Sequence, residues 1–163
     1  MDLTSILQTI DVGRGLILLG VLFLIIIYLF YPQKKVIFTI SIAVVLAILL
    51  ATVLKELIPV ARPPCADSLV CPSGNSFPSR HAAMFFALAF ALWKQKQVWV
   101  FLGSLMIAIF VVFLKVAANQ HTVFDILGGI GVALVCVVVA EKVVEFLDKQ
   151  RHITLILEKF KLK

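Results

Sequence analysis

Two residues four positions apart, His121 and Asp125, form the pair in this sequence that is best suited to nucleophilic or acid–base chemistry. Because helical residues four apart lie on the same face, the spacing predicts that the carboxylate lies beside the imidazole. A carboxylate can accept the imidazole N–H, fix its tautomer and stabilise its cation. The second ring nitrogen is then available as a nucleophile or a base. Taken alone, the pair is explained equally well as two polar groups that satisfy each other inside a helical bundle.

A second histidine follows a sequence that is typical of a helix start. In the stretch FPSRH, residues 77–81, Pro78 is a helix-entry residue and Ser79 is typical of an N-cap. The first N–H groups of a helix have no intrahelical partners, so they form an anion-binding site at the positive end of the helix dipole. His81 is predicted to lie in the first turn beside that site, although an ordinary interfacial histidine fits the same pattern.

Four basic residues stand at or near the ends of long apolar runs. They are Lys55, Arg62, Arg80 and Lys115. Arginine makes bidentate contacts to phosphate oxygens, and lysine supplies a point charge. Snorkelling at a membrane interface would account for one or two such residues. Four of them, next to two histidines and an anion-binding helix start, fit a phosphate site better.

A metal site is the competing interpretation, because His81, His121 and Asp125 could supply ligands. These side chains stand among several cations, however, which would repel a divalent ion. The sequence therefore predicts that no metal is bound. Arginine and lysine would stabilise the charge that magnesium stabilises in other phosphoryl-transfer sites.

The elements that must position these residues are predicted to be membrane-spanning helices. Hydrophobic residues make up 62% of the 163-residue chain, against roughly 45–50% in soluble domains, and the mean hydropathy is +1.10. A spanning helix needs about 20 residues. Four runs qualify with modest extension, and the run 82–93 qualifies only if its helix begins near Ser79. The five apolar runs are 15–31, 36–54, 82–93, 98–114 and 123–140.

We therefore predict an all-α integral membrane protein with one domain, 1–163, built as a bundle of five to six helices. Five helices are the spans, and a short helix in the N-terminal interfacial segment, 1–14, would be the sixth. Residues 148–163 are predicted to form a basic cytoplasmic tail, which could lie against anionic lipid.

The basic loops predict the orientation of this bundle. Lysines in 32–35 and 94–97, and the basic tail, all fall on one side of a five-span arrangement, which the positive-inside rule makes cytoplasmic. Loops 55–78 and 115–122 are then outside, so the histidines and the four cations share the outer face. Cations on that face run against the orientation rule, which an anion held at the outer surface would explain.

The three segments together resemble the type 2 phosphatidic acid phosphatase superfamily, whose pattern is K-x6-R-P, then P-S-G-H, then S-R-x5-H-x3-D. The corresponding segments of this chain are Lys55-x6-Arg62-Pro63, Pro78-Ser79-Arg80-His81 and Lys115-x5-His121-x3-Asp125. All three occur in order with both spacings intact. Arg80 replaces the glycine of the second motif, and Leu114-Lys115 replaces the Ser-Arg of the third. These two departures bear on substrate preference more than on the type of reaction.

The resemblance implies a membrane lipid phosphatase that needs no cofactor. It implies that His121 attacks phosphorus to form a phosphohistidine, that Asp125 orients His121, and that His81 protonates the departing oxygen and then activates water. The residues implied to bind the phosphate oxygens are Lys55, Arg62, Ser79, Arg80 and Lys115.

The expected partners are a lipid phosphate and the bilayer, with no nucleic acid. Substrates of the family include undecaprenyl diphosphate, phosphatidylglycerol phosphate, phosphatidic acid and lipid A 1-phosphate. A prokaryotic inner membrane protein is implied, with its active site on the periplasmic or extracellular face.

Two other functions stay open on the sequence: a small anion channel or transporter subunit, and a non-catalytic membrane scaffold. A pore needs polar groups along its spans, and the spans here are nearly all apolar. Neither alternative accounts for the His-x3-Asp pair beside a second histidine. In the outer loop, Cys65 and Cys71 are predicted to form a disulfide, which the environment outside the cytoplasm permits.

Overall fold

The computed structural model describes residues 34–64 and 74–161. In these ranges the chain is all-α, with helices α1 (Lys34–Leu57), α2 (Arg80–Lys94), α3 (Val98–Ala117) and α4 (Val123–Lys161). The helical class is confirmed, but the described residues contain four helices, where five to six were predicted for the whole chain. The predicted span 15–31, the segment 1–14 and the cysteine pair Cys65 and Cys71 lie outside the described residues.

Three of the described helices contain segments that are long and apolar enough to cross a membrane. These segments are Lys35–Leu57, Val98–Ala117 and Val123–Arg151, and they correspond to the predicted second, fourth and fifth spans. The outward side of α3 is apolar, with Met106 72% and Phe110 61% exposed. Exposed apolar faces on long helices are what lipid contact requires, so the chain is a helical membrane protein.

Helix α2 differs from the other three because it is short and buried. It begins at Arg80, as the sequence predicted, and the Ser79 hydroxyl caps it by accepting from the Ala82 N–H at 3.4 Å. Its 15 residues rise about 22 Å, less than the roughly 30 Å of bilayer hydrocarbon. It contacts α1, α3 and α4, and most of its side chains are buried among them. The predicted third span is therefore the central helix of the bundle.

Helix α4 is longer than the predicted fifth span. It runs without interruption for 39 residues through the predicted tail as far as Lys161. Two ion pairs tie its distal half to the other helices: Lys94 lies 3.3 Å from Glu141, and Lys35 pairs with Asp148. These pairs fix the bundle at the end opposite to the candidate catalytic residues.

Two adjacent glycines let α4 approach the start of α2 closely. A Cβ atom on Gly129 would lie 2.6 Å from the Ser79 carbonyl oxygen and 2.7 Å from the Ala82 Cβ, and one on Gly128 would overlap the Phe77 ring. Real Cβ atoms do not approach neighbours so closely, so neither position has room for a side chain. This contact brings the first turn of α4, with Asp125, against the N-terminus of α2.

Candidate active site

Backbone and side-chain hydrogen bonds join the three predicted segments at one end of the bundle. The Ser79 N–H donates to the Asp125 carbonyl at 2.9 Å, and the Ser76 N–H donates to the Val60 carbonyl at 2.7 Å. The Arg62 guanidinium donates from Nη1 to the Gln120 carbonyl at 2.7 Å, across 58 positions of sequence. Segments far apart in the chain are thus held together at one end of the bundle.

The pair His121 and Asp125 lies at the centre of this site. Both side chains are buried, and His121 Nδ1 lies 3.3 Å from Asp125 Oδ2. His121 precedes α4 by two residues, so the predicted arrangement on one helix face is wrong. Instead Thr122 and Asp125 form a reciprocal cap: the Thr122 N–H donates to Oδ2 at 2.7 Å, and the Asp125 N–H donates to Thr122 Oγ1 at 3.2 Å. This cap turns the carboxylate towards the imidazole.

Burial and charge keep His121 neutral. Its pKa is lowered to about 4, first by burial and then by the positive charges of Arg62 and Lys55, against the opposing effect of Asp125. Near neutral pH the ring therefore holds one proton. When that proton is on Nδ1 and is donated to Asp125, Nε2 carries a lone pair, which is the form a nucleophile needs.

Lys55 and Arg62 are held by neutral carbonyl oxygens. Lys55 Nζ donates to the carbonyls of Asn75 at 2.7 Å and Ser76 at 2.8 Å. Arg62 Nε donates to the Gly74 carbonyl at 3.1 Å, in addition to its bond with Gln120. Burial lowers the pKa of Arg62. Neutral acceptors orient a cation without cancelling its charge, so both groups remain able to attract an anion.

The remaining predicted residues lie around this centre. Arg80 is exposed at the first position of α2, and its charge acts on Arg62 by lowering the Arg62 pKa. Lys115 is buried in the last turn of α3 and donates from Nζ to Gln120 Oε1 at 2.8 Å. His81 is partly buried in the first turn of α2, and Ser79 is fully buried as its cap.

Sequence reasoning missed two buried polar residues that join these groups. Ser76 is fully buried and places its hydroxyl 3.2 Å from Asp125 Oδ1. Gln120 accepts a hydrogen bond from Arg62 at its backbone carbonyl and another from Lys115 Nζ at its side-chain oxygen Oε1. Both roles depend on contacts across the fold, which leave no local signal. The capping pattern Thr122-x-x-Asp125, in contrast, was visible in the sequence.

The arrangement suits an oxyanion better than a metal ion. In residues 34–64 and 74–161, no three His, Cys, Asp or Glu side chains form a group that could hold a metal. Cationic side chains and a helix N-terminus instead surround a neutral imidazole. Such a set can bind a phosphate group and attack its phosphorus.

The fold and this site define a helical membrane protein with a buried His–Asp pair and neighbouring cations at one end of its bundle. Residues 34–148 match the PAP2 superfamily, and because the match covers most of the chain, the protein belongs to that superfamily. The crystal structure of LpxE from Aquifex aeolicus is similar, with 25% sequence identity and a TM-score of 0.64 over 82% of this chain and 86% of that one. Comparison with curated protein sequences finds no match. The family and the fold support a lipid phosphatase.

Proposed function

We propose that the protein hydrolyses a phosphomonoester or diphosphate on a lipid head group through a phosphohistidine intermediate. The observation that carries the proposal is the neutral, buried His121, which lies beside Asp125 and within the electrostatic reach of Lys55 and Arg62. A neutral imidazole can attack phosphorus, and nearby cations stabilise the charge that develops on the phosphate oxygens. The alternatives of a channel and a scaffold give no reason for this arrangement.

In the first step the lone pair of His121 Nε2 forms a bond to phosphorus. The bond from phosphorus to the leaving oxygen breaks, and that oxygen keeps the electron pair and takes a proton from His81. Asp125 accepts the Nδ1 hydrogen bond and stabilises the positive charge that the ring gains. In the second step a water gives a proton to His81 and attacks phosphorus. The P–N bond breaks, and inorganic phosphate leaves.

The phosphate ligands in this proposal are the cations and the start of α2. Lys55 and Arg62 are already oriented by backbone carbonyls, so little side-chain freedom is lost when the substrate binds. Ser79 caps α2 and thereby holds the first N–H groups of that helix towards the phosphate. Arg80 and Lys115 complete the set. None of these steps requires a metal.

The proposed substrate is a lipid, because the site lies at the end of a membrane-spanning bundle. Undecaprenyl diphosphate, lipid A 1-phosphate, phosphatidylglycerol phosphate and phosphatidic acid all present a phosphate at the bilayer surface. The proposed location is the inner membrane of a prokaryote, with the site on the periplasmic or extracellular face. The basic segments 32–35, 94–97 and 148–163 support that orientation, because the positive-inside rule favours the cytoplasmic side for such segments.

Phosphate release from these four lipids in detergent, with EDTA present, tests the activity. Wild type should be active and His121→Ala inactive. His152→Ala is the matched control, because it removes a histidine from the distal half of α4 and should leave turnover unchanged. Activity that disappears with the chelator would refute the metal-free mechanism, and full activity of His121→Ala would refute the nucleophile.

Radiolabelled substrate separates the roles of the two histidines. His81→Ala should accumulate labelled phosphohistidine, because it can form the intermediate slowly but cannot activate water. His121→Ala should take up no label. Equal labelling of both variants would contradict these assignments.

The orientation is tested with Ser68→Cys in a chain whose three native cysteines are replaced by serine. An impermeant thiol reagent should label this residue from outside intact cells. Labelling only after lysis would place the site on the cytoplasmic face.

A further inference from the structure

Ser76 lies outside all three sequence motifs but contacts two of the segments that carry them, and it directly precedes the FPSRH segment that carries the third. It is fully buried in the segment that leads to α2. Its backbone N–H donates to the Val60 carbonyl at 2.7 Å, just before Arg62, and its carbonyl accepts from Lys55 Nζ at 2.8 Å. Its hydroxyl lies 3.2 Å from Asp125 Oδ1. One residue therefore touches the cation segment and the carboxylate of the His–Asp pair.

The Ser76 hydroxyl has one proton and three acceptors within reach. The carbonyl oxygens of Val60 and Ala61 also lie 3.2 Å from Oγ. The three acceptors lie at equal distances from Oγ, so their charges decide which of them receives the proton. A hydrogen bond to an ionised carboxylate is about twice as strong as one to a neutral carbonyl, so the proton goes to Asp125, and the hydroxyl remains near the two carbonyls.

This contact completes the restraint on the Asp125 carboxylate. Oδ2 accepts from the Thr122 N–H and faces His121 Nδ1, while Oδ1 is held by Ser76. Hydrogen bonds at both oxygens oppose rotation of the carboxylate about its Cβ–Cγ bond. The oxygen that accepts the imidazole proton then keeps its position during attack. Loss of the hydrogen bond from the Ser76 hydroxyl would leave Oδ1 unrestrained, and Oδ2 would then be oriented less firmly towards His121 Nδ1.

We infer that Ser76 is a positioning residue, which acts on the nucleophile through Asp125. The inference rests on the proposed function, because it assumes that His121 attacks phosphorus. Ser76 itself touches no reacting atom. Its backbone contacts orient Lys55 and the Arg62 segment, whereas its hydroxyl orients the carboxylate. The two roles can be separated, because replacement by alanine removes only the second.

The test measures the rate of phosphohistidine formation in the His81→Ala parent, with whichever radiolabelled lipid of the four-lipid panel wild type hydrolyses fastest. Adding Ser76→Ala should slow labelling by about tenfold to a hundredfold, the usual effect of removing a hydrogen bond to a charged group. The final amount of label and the substrate concentration for half-maximal rate should stay close to those of the parent. That combination identifies a defect in attack, since the Lys55 and Val60 contacts are made by the Ser76 backbone.

The matched control is Ser104→Ala, which removes another buried serine hydroxyl. Among the described residues, the Ser104 hydroxyl in α3 hydrogen-bonds only to the Val100 and Phe101 carbonyls of its own helix, at 2.8 and 2.9 Å. It should label at the parent's rate. If Ser76→Ala does not fold, as judged by thermal melting in detergent, Ser76→Cys decides, because the weaker thiol donor should give a reduced rate at unchanged half-saturation.

Three results would overturn the inference: labelling of Ser76→Ala or Ser76→Cys at the parent's rate, a loss no greater than in Ser104→Ala, or a rise in half-saturation that accounts for the slower rate. These differ from a failure of the proposed function. In that case the His81→Ala parent would take up no label, or His121→Ala would still release phosphate.

Discussion

The backbone N–H of Ser79 donates a hydrogen bond to the backbone carbonyl of Asp125 at 2.9 Å. Because Ser79 caps α2 and Asp125 lies in the first turn of α4, this bond couples the two helix starts directly. In the proposed mechanism, the helix end that receives the phosphate and the carboxylate that orients the nucleophile are therefore coupled by this bond. The geometry of the site depends on how closely α2 and α4 pack below this bond.

Gly129 is the residue that permits this packing. We expect Gly129→Ala to destabilise the protein by about 1–3 kcal/mol, the usual cost of overpacking, and to reduce turnover by moving Asp125 away from Ser79. The added Cβ would meet the Ser79 carbonyl at 2.6 Å. Thermal melting in detergent and phosphate release measure the two effects.

Gly131→Ala is the control on the same helix. Among the described residues, nothing outside the local backbone lies within 4 Å of a Cβ there, and alanine favours a helix over glycine by up to about 1 kcal/mol. It should therefore be neutral or slightly stabilising. Equal melting temperatures for the two variants would show that the contact between α2 and α4 is looser than described.

The low pKa of His121 predicts how kcat/KM should depend on pH. The neutral ring persists in the folded protein until the pH falls to about 4, so the loss of kcat/KM caused by protonating His121 should begin only near that pH. Removing a cation should raise this pKa. We expect Arg62→Gln to move the acid limb of the kcat/KM profile to higher pH, besides lowering its plateau. Lys142→Gln, which changes an exposed lysine far along α4, should leave the limb in place.

The same shift links pH to stability. In the unfolded chain His121 takes up its proton near pH 6.5, but in the folded protein only near 4. The unfolded state thus binds more protons in that window, and stability falls as the pH drops through it. His121→Gln should lose this part of the dependence. Melting curves of both proteins over the acidic range measure it, and parallel curves would contradict the shifted pKa.

A change of charge at Gln120 tests whether Lys115 binds the phosphate. Its neutral amide oxygen accepts from Lys115 Nζ. Gln120→Glu keeps the shape but places a carboxylate on the ammonium, so the attraction of Lys115 for phosphate should weaken and KM should rise, by about tenfold for a loss of roughly 1.4 kcal/mol. Gln97→Glu makes the same change at the opposite end of α3 and should have no effect. An unchanged KM in Gln120→Glu would place Lys115 outside the phosphate site.

Arg80 gives a prediction about selectivity. Its side chain is exposed at the first position of α2. Arg80→Gly should change the ratio of kcat/KM for undecaprenyl diphosphate and phosphatidic acid more than it lowers turnover on the better one. Lys96→Gly is the control, since it removes an exposed cation at the other end of α2, where φ is +59° and glycine fits easily. The same ratio in wild type and Arg80→Gly would remove Arg80 from substrate recognition.

Local sequence signals predicted several of the boundaries of the described helices. The start of α2 after Ser79 followed from a cap residue before an apolar run, and the ends of α1 and α3 near Lys55 and Lys115 followed from apolar length and basic ends. The central, buried position of α2 could not be predicted from the sequence. Burial among neighbouring helices and exposure to lipid both favour apolar residues, so the two environments leave the same pattern. The full length of α4 was not predicted either. A change from apolar to polar residues marks the end of a membrane span, but a helix can continue through the polar segment.

The hydrogen bonds that join the residues of the candidate site could not be predicted from the sequence. Ser76 and Gln120 are ordinary polar residues in loops, and their roles arise only when distant segments meet. The position of His121 before α4 was misjudged, because a spacing of four predicts contact on a helix but a capped helix start can bring the same two side chains together.

The shortness of α2 has a consequence for how a substrate would reach the site. With Lys94 at one membrane surface, a helix that rises only about 22 Å ends several ångströms below the other boundary of the roughly 30 Å hydrocarbon layer. The capped start of α2 would then lie below the lipid head groups, at the depth of the first carbons of the lipid chains. A lipid could enter sideways from its own leaflet, without being lifted into water, and the enzyme would act on its substrate as a two-dimensional solute.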